Sequence, residues 1–92
     1  MQKSYVYIMS SPNNNVIYIG VTSDLRKRVL EHQNHSLGGF TAKYNCVKLV
    51  YVEEYINIRM AIAREKQLKR WERSWKEELI NKENPLWIDI LD

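Results

Sequence analysis

The sequence predicts an α+β fold of the α/β-sandwich type, in which a three-stranded antiparallel β-sheet is flanked by α-helices. Three observations support this prediction: a pair of β-rich segments around a turn cluster, a later β-branched segment, and two amphipathic helical segments. Their order is strand, strand, helix, strand, helix. We expect one domain over residues 1–92, because a chain of this length buries only one modest core.

The first two strands are YVYIMS at 5–10 and VIYIGV at 16–21, both rich in β-branched and aromatic residues. They are joined by SPNNN, a cluster of turn-forming residues. This arrangement predicts a β-hairpin, which we centre on Pro12 and Asn13.

Tyr5, Tyr7 and Tyr18 lie on one face of this hairpin, because side chains alternate with a period of two. The aliphatic side chains occupy the other face, which we expect to be the core face. The chosen centre places Tyr7 opposite Tyr18. The pair is either an ordinary cross-strand aromatic pair or two phenols that act on a proton beside a cation. Gly20 either lets the strand turn or lets a substrate approach the following helix.

The first helix begins after the second strand. Thr22 or Ser23 is the expected N-cap, and the helix is expected to run to about Asn34. Asp24 lies in the first turn, where its negative charge interacts favourably with the positive end of the helix dipole.

Arg28 and His32 are four residues apart on this helix and therefore share one side of it. Arg28 is either part of a polar face with Arg26 and Lys27 or a guanidinium that clamps a phosphate and stabilises transition-state charge.

The rest of the chain follows the same logic. Residues 34–45, with two glycines, read as a loop, and CVKLVYVEEY at 46–55 reads as the third strand. Asn57 is the expected cap of a long second helix over residues 58–80. Residues 84–91 form an apolar tail expected to dock on the core.

The long helix has an apolar stripe interrupted by two carboxylates, Glu65 and Glu72. An ionised carboxylate on such a stripe is costly to bury without a partner. Glu65 is therefore either ion-paired or a metal ligand, since magnesium needs only one or two protein carboxylates. The stripe consists of Ile58, Ala61, Ile62, Leu68 and Trp75.

A basic stripe runs along the adjoining face of the same helix. It is either a solvated face or a weak contact surface for nucleic acid phosphates. Its members are Arg59, Lys66, Arg70 and Arg73.

Composition narrows the classes of function. The net charge of +3 permits a nucleic acid partner without requiring one. Cys46 is the single cysteine, which excludes a disulfide framework within the chain. No apolar run reaches the ~20 residues that a membrane span needs, and we expect a cytoplasmic protein without a membrane partner.

Several stretches together resemble the GIY-YIG nuclease domain, in the compact single-domain form found as small uncharacterised bacterial proteins. They are YVYIM at 5–9, YIGVTSDLRKRVLEH at 18–32, AREKQLKRW at 63–71 and NP at 84–85. The resemblance implies a three-stranded sheet flanked by helices and one divalent metal site for cutting a phosphodiester bond.

The resemblance also implies roles for individual residues. Tyr7 and Tyr18 match the motif tyrosines, one of which acts as the general base or orients the attacking water. Gly20 matches the motif glycine, Arg28 the catalytic arginine, and His32 the histidine that follows it by one helical turn.

Two further matches concern the metal and its support. Glu65 matches the metal-binding glutamate, so the implied cofactor is a divalent cation, magnesium with manganese as the alternative. Asn84 matches a late supporting asparagine. One departure is clear: Tyr5 stands where the family usually has glycine, which puts substrate size and rate in question.

These observations lead us to expect a metal-dependent endonuclease module with low intrinsic sequence specificity. We expect it to act on nucleic acid, DNA rather than RNA, with any specificity supplied by substrate structure or a partner protein. The alternative is a nucleic acid binding module that cuts poorly or not at all. A third reading is an interaction adaptor that uses Trp71 and Trp75.

Overall fold

Three antiparallel strands in the order β2-β1-β3 form the sheet of the computed structural model, which describes residues 2–91. This arrangement confirms the predicted fold class. The elements are β1 (Ser4–Ser10), β2 (Ile17–Thr22), α1 (Leu25–Gln33), α2 (Gly39–Lys43), β3 (Lys48–Tyr55), α3 (Ile58–Arg70) and α4 (Arg73–Glu83).

The predicted hairpin is present, but its predicted register is wrong by two residues. Tyr7 pairs with Gly20, and Tyr18 pairs with Met9. The two tyrosines stay on the same face as diagonal neighbours, with ring centroids 6.4 Å apart.

The hairpin loop explains the shift. The Ser11 N–H donates to the Val16 carbonyl at 2.9 Å, and the Val16 N–H donates to the Ser11 hydroxyl at 3.0 Å. Asn14 takes a left-handed conformation with φ 64°. These bonds centre the loop on Asn13 and Asn14 instead of Pro12 and Asn13.

Helices cover both faces of the sheet, so the expectation that the tyrosine face lies outside the core is wrong. Periodicity separates the faces of a strand without showing whether a helix covers either face. One cluster, under α3 and α4, contains Val6, Ile8, Ile19, Val50, Tyr51, Ala61, Leu68, Ile80 and Trp87. The other, under α1, contains Tyr7, Met9, Val29, Cys46 and Leu49.

Helix α1 is capped by Asp24 rather than by Thr22 or Ser23. The Asp24 carboxylate accepts the Lys27 N–H at 3.2 Å. Thr22 instead accepts the Asp24 N–H at 3.0 Å and so fixes the turn before the helix. The segment predicted as a loop contains the short helix α2.

The predicted long helix is two helices. Asn57 caps α3 as expected, accepting the Arg59 N–H at 2.8 Å. Trp71 and Glu72 then take extended backbone angles, with ψ of 150° and 154°. Trp71 packs against the core beneath the Arg64 guanidinium, which lies 5.1 Å from its ring centroid. The break between α3 and α4 lies at this packed ring, although neither glycine nor proline is present there.

The helix break also interrupts both predicted stripes. Within the apolar stripe, Ala61 and Leu68 are buried, whereas Ile58, Ile62 and Trp75 are exposed. Arg73 lies on α4, apart from the three other basic residues, and donates to the backbone carbonyls of Asn14 and Asn15.

The tail docks as predicted through Trp87, while Leu86 and Ile90 remain exposed. Asn84 holds the tail in place: its amide donates to the carbonyls of Val50 at 3.0 Å and Ile88 at 2.9 Å. None of the helices within residues 2–91 has the length and apolar character that crossing a membrane requires.

Candidate active site

A buried hydrogen-bonded chain lies between the sheet and α1. The Tyr7 hydroxyl is 2.8 Å from His32 Nε2, and His32 Nδ1 is 3.1 Å from the Thr41 hydroxyl. All three side chains are buried. Although His32 shares one side of α1 with the partly exposed Arg28, its ring is buried and points inward.

The protonation of this chain follows from its surroundings. Burial and the nearby Arg28 guanidinium lower the pKa of His32, so we assign it as neutral at pH 7. Tyr7 then donates to Nε2, and the Nδ1–H donates to Thr41.

Tyr7 is held as the neutral phenol. Burial and the adjacent Tyr18 raise the pKa of Tyr7 to about 12, against the opposing effect of the nearby Arg28 guanidinium. Arg28 therefore lies close to the phenol. A base role for Tyr7 therefore requires that its proton move to a partner, and His32 is that partner.

Gly20 makes room for the Tyr7 ring. A Cβ at this position would lie closer to the Tyr7 hydroxyl oxygen and two of its ring carbons than real Cβ atoms approach other atoms. Gly20 thus has a third role that its sequence context did not indicate, because the role depends on the cross-strand partner.

Tyr18 lies at the margin of the same group and is partly exposed. Its ring centroid is 5.4 Å from that of His32. On its other side, Lys69 Nζ lies 6.0 Å from the ring centroid. Tyr18 therefore connects the buried chain to α3.

Arg28 lies at a polar cavity of about 350 Å³ at the start of α1, also lined by Asp24 and Lys27. Its Nε is 3.3 Å from the Glu31 carboxylate, and both side chains are partly exposed. This loose pair leaves guanidinium N–H groups available to a phosphate.

Glu65 reaches this group only indirectly. Its carboxylate is 13% exposed and lies 2.7 Å from Lys69 Nζ, the ammonium beside Tyr18. Three of the five expected site residues, Tyr7, Tyr18 and His32, are thus in mutual contact. Arg28 lies beside Tyr7, and Glu65 is joined through Lys69.

Comparison with known proteins agrees with this architecture. A family model described as the GIY-YIG catalytic domain matches residues 3–84. The chain therefore belongs to the GIY-YIG family.

Curated relatives of this GIY-YIG domain are small proteins named UPF0213. One from Syntrophus aciditrophicus is 36% identical over 92% of this chain and 97% of its own length. One from Clostridium perfringens is 37% identical over 85% of this chain and 83% of its own length.

A solved structure shows the same fold. The solution NMR structure of a UPF0213 protein from Bacillus halodurans has a TM-score of 0.59 and 24% identity. The match covers 92% of this chain and 89% of that chain.

Few side chains of the candidate site could bind a divalent cation. Among residues 2–91, no three His, Cys, Asp or Glu side chains are grouped to hold a metal ion. The single carboxylate of Glu65 suits magnesium, which keeps several waters. Lys69 lies against that carboxylate and would have to move.

The remaining predicted site residues are Asn84 and the four basic residues. Asn84 uses its amide to hold the tail on β3 and so supports the fold. Arg59, Lys66 and Arg70 are exposed on α3, where their contact with nucleic acid stays a prediction. Arg73 is engaged with the hairpin loop and Glu77.

Sequence reasoning missed Thr41 and Lys69. Thr41 lies in the segment predicted as a loop, and its spacing from His32 in the sequence does not indicate a contact between the two side chains. Lys69 could have been found, because it stands four residues after Glu65 on the same helix. Tyr5 lies on β1 two residues before Tyr7, where it pairs with Thr22 of β2 and Glu54 of β3.

Proposed function

We propose that this GIY-YIG domain is a divalent-metal-dependent endonuclease that hydrolyses nucleic acid phosphodiester bonds. The observation that carries the proposal is the Tyr7–His32 hydrogen bond with Arg28 beside it. A neutral imidazole that accepts from a phenol next to a cation is arranged to receive a proton.

The proposed chemistry is a proton relay. Tyr18, the partly exposed phenol, orients the attacking water. As the water oxygen attacks phosphorus, the bond from phosphorus to the leaving sugar oxygen breaks, and that oxygen takes a proton from solvent. The proton of the attacking water passes to the Tyr7 oxygen while Tyr7 gives its own proton to His32 Nε2. Arg28 stabilises the negative charge on the non-bridging oxygens.

Two conditions accompany this relay. Solvent does not reach Tyr7 in the free protein, so substrate binding must open a path to its oxygen. A divalent cation, magnesium or manganese, would be held by Glu65 and would polarise the scissile phosphate. We also propose low intrinsic sequence specificity for this domain and DNA as its preferred substrate.

A second candidate function is nucleic acid binding with little or no cleavage. The Glu65–Lys69 ion pair favours it, because the ammonium occupies the carboxylate that a cation would need. Tyr5 in place of the motif glycine points the same way.

The test is cleavage by purified protein of labelled branched, nicked and single-stranded DNA and of RNA, with magnesium or manganese and with EDTA. We expect Arg28→Ala and Glu65→Ala each to lower the rate at least about 100-fold.

Two matched controls carry the same changes elsewhere. Lys82→Ala removes a cation in the last turn of α4, and Glu78→Ala removes an exposed carboxylate of the same helix; both should cleave as the parent does. Cleavage that survives both site substitutions contradicts the site assignment. Binding without cleavage on every substrate supports the second candidate.

A further inference from the structure

A row of three aromatic side chains extends from the candidate active site across the surface. The Tyr18 and Phe40 ring centroids are 6.2 Å apart, and those of Phe40 and Tyr44 are 4.7 Å apart. Phe40 and Tyr44 are 48% and 41% exposed. We call Tyr18, Phe40 and Tyr44 the aromatic row.

Lysines accompany the aromatic row. Lys43 Nζ lies 5.3 Å from the Tyr44 ring centroid, and Lys69 Nζ lies 6.0 Å from that of Tyr18. Tyr18 and Phe40 also line an open groove of about 350 Å³ together with Lys69 and Lys76. Exposed rings rimmed by ammonium groups are typical of a binding surface rather than of a solvated one.

We propose that the aromatic row is a stacking platform for unpaired bases of a nucleic acid strand, with the lysines holding its phosphates. This inference rests on the proposed function for its link to cleavage, since Tyr18 belongs both to the row and to the active site. A base that stacks on Phe40 lies next to Tyr18, whose ring centroid is 5.4 Å from that of His32.

Unpaired bases fit this surface better than a duplex does. Within a duplex, base faces are covered by neighbouring bases, so a duplex offers the rings little to stack on. An unpaired base has a free π-face, and aromatic side chains stack on it without regard to sequence. The lysines match the phosphates in charge, whereas a protein partner with an apolar surface would offer them no opposite charge.

The test is fluorescence anisotropy in EDTA with labelled dT12, rU12 and a dT12·dA12 duplex. In EDTA no metal-dependent cleavage interferes. Phe40→Ala should weaken binding of both single strands about 5-fold to 100-fold and change duplex binding less than about 2-fold. Phe40→Leu, which keeps apolar bulk without a π-face, should also weaken single-strand binding.

Trp75→Ala is the matched control. Trp75 is 52% exposed, and its ring contact is Trp71 rather than the aromatic row. It should bind all three probes as the parent does. Circular dichroism with thermal unfolding checks that each variant is folded.

Four results overturn the platform. They are unchanged single-strand binding by folded Phe40→Ala, equal weakening by Trp75→Ala, equal loss of duplex binding, or a dimer in analytical ultracentrifugation that only Phe40→Ala dissociates. The last result assigns the groove to a second copy of the chain. A parent protein that binds single strands through Phe40 but never cleaves supports the platform and contradicts only the proposed function.

Discussion

Each face of the sheet carries a polar cluster built from two tyrosines, a glutamate and an arginine, yet the two clusters differ in how fully they are paired. Under α3, the Glu53 carboxylate accepts from Tyr51 at 2.5 Å, Tyr55 at 2.7 Å and Arg64 at 2.9 Å. Under α1, Arg28 forms a looser ion pair with Glu31, at 3.3 Å.

The difference separates a structural cluster from a candidate catalytic one. Burial disfavours the Glu53 carboxylate, but hydrogen bonds from Arg64, Tyr51 and Tyr55 outweigh it and keep the pKa of Glu53 below its ordinary value. All its acceptor capacity is used within the fold. Arg28 keeps N–H groups that can bind a ligand, and its half-exposed ion pair contributes little to stability.

The largest expected effect tests this contrast with one substitution on each face. Glu53→Gln should lower the free energy of unfolding by about 2–4 kcal/mol, because Arg64 loses a partner in a mostly buried pair. Glu31→Gln should change it by less than about 1 kcal/mol, since its pair is half exposed. Urea unfolding measures both, and equal losses would erase the distinction between the clusters.

A smaller effect is expected at Gly20. Gly20→Ala should destabilise the fold by about 1–3 kcal/mol, because the added methyl collides with the Tyr7 ring. Gly39→Ala is a useful comparison: within residues 2–91 nothing lies within 4 Å of the position that its Cβ would take, so its cost comes only from φ 63°. A double-mutant cycle of each alanine with Tyr7→Leu should show coupling for Gly20 and none for Gly39.

His32 predicts a dependence of stability on pH. Its pKa in the folded state lies below the ordinary value of 6.5, so the unfolded chain binds the proton more readily. Stability should therefore be greatest above pH 6.5 and fall as the pH falls toward the folded-state pKa. His32→Gln should flatten this slope in urea unfolding between pH 5 and 7, whereas a similar change from substitution of the exposed His35 would contradict the assignment.

The smallest effect concerns Lys69. Lys69→Met should change stability by only about 0.3–0.5 kcal/mol, as expected for a helical ion pair four residues apart. It should strengthen manganese binding at Glu65, measured by calorimetry, because the competing ammonium is gone. Glu65→Gln should abolish that binding. If manganese binds both variants equally, its site does not include Glu65.

The strands and the grouping of Tyr7, Tyr18 and His32 could be predicted from the sequence, because both follow from local pattern. Alternation placed Tyr7 and Tyr18 on one face, and helical spacing placed Arg28 one turn from His32. The features that were missed depend on tertiary contacts. Burial of Tyr7 depends on a helix covering its face, the register on the Ser11 hydroxyl, and the break after Arg70 coincides with packing of Trp71.

The docked tail also affects how the sheet meets other chains. At the outer edge of β3, the Ile90 N–H donates to the Leu49 carbonyl at 2.9 Å, and the Asp89 carboxylate accepts the Leu49 N–H at 3.4 Å. Unpaired edge backbone is a template for strand addition by a second molecule. By occupying this edge at Leu49, the tail protects the domain against edge-to-edge aggregation, and its removal would expose that template.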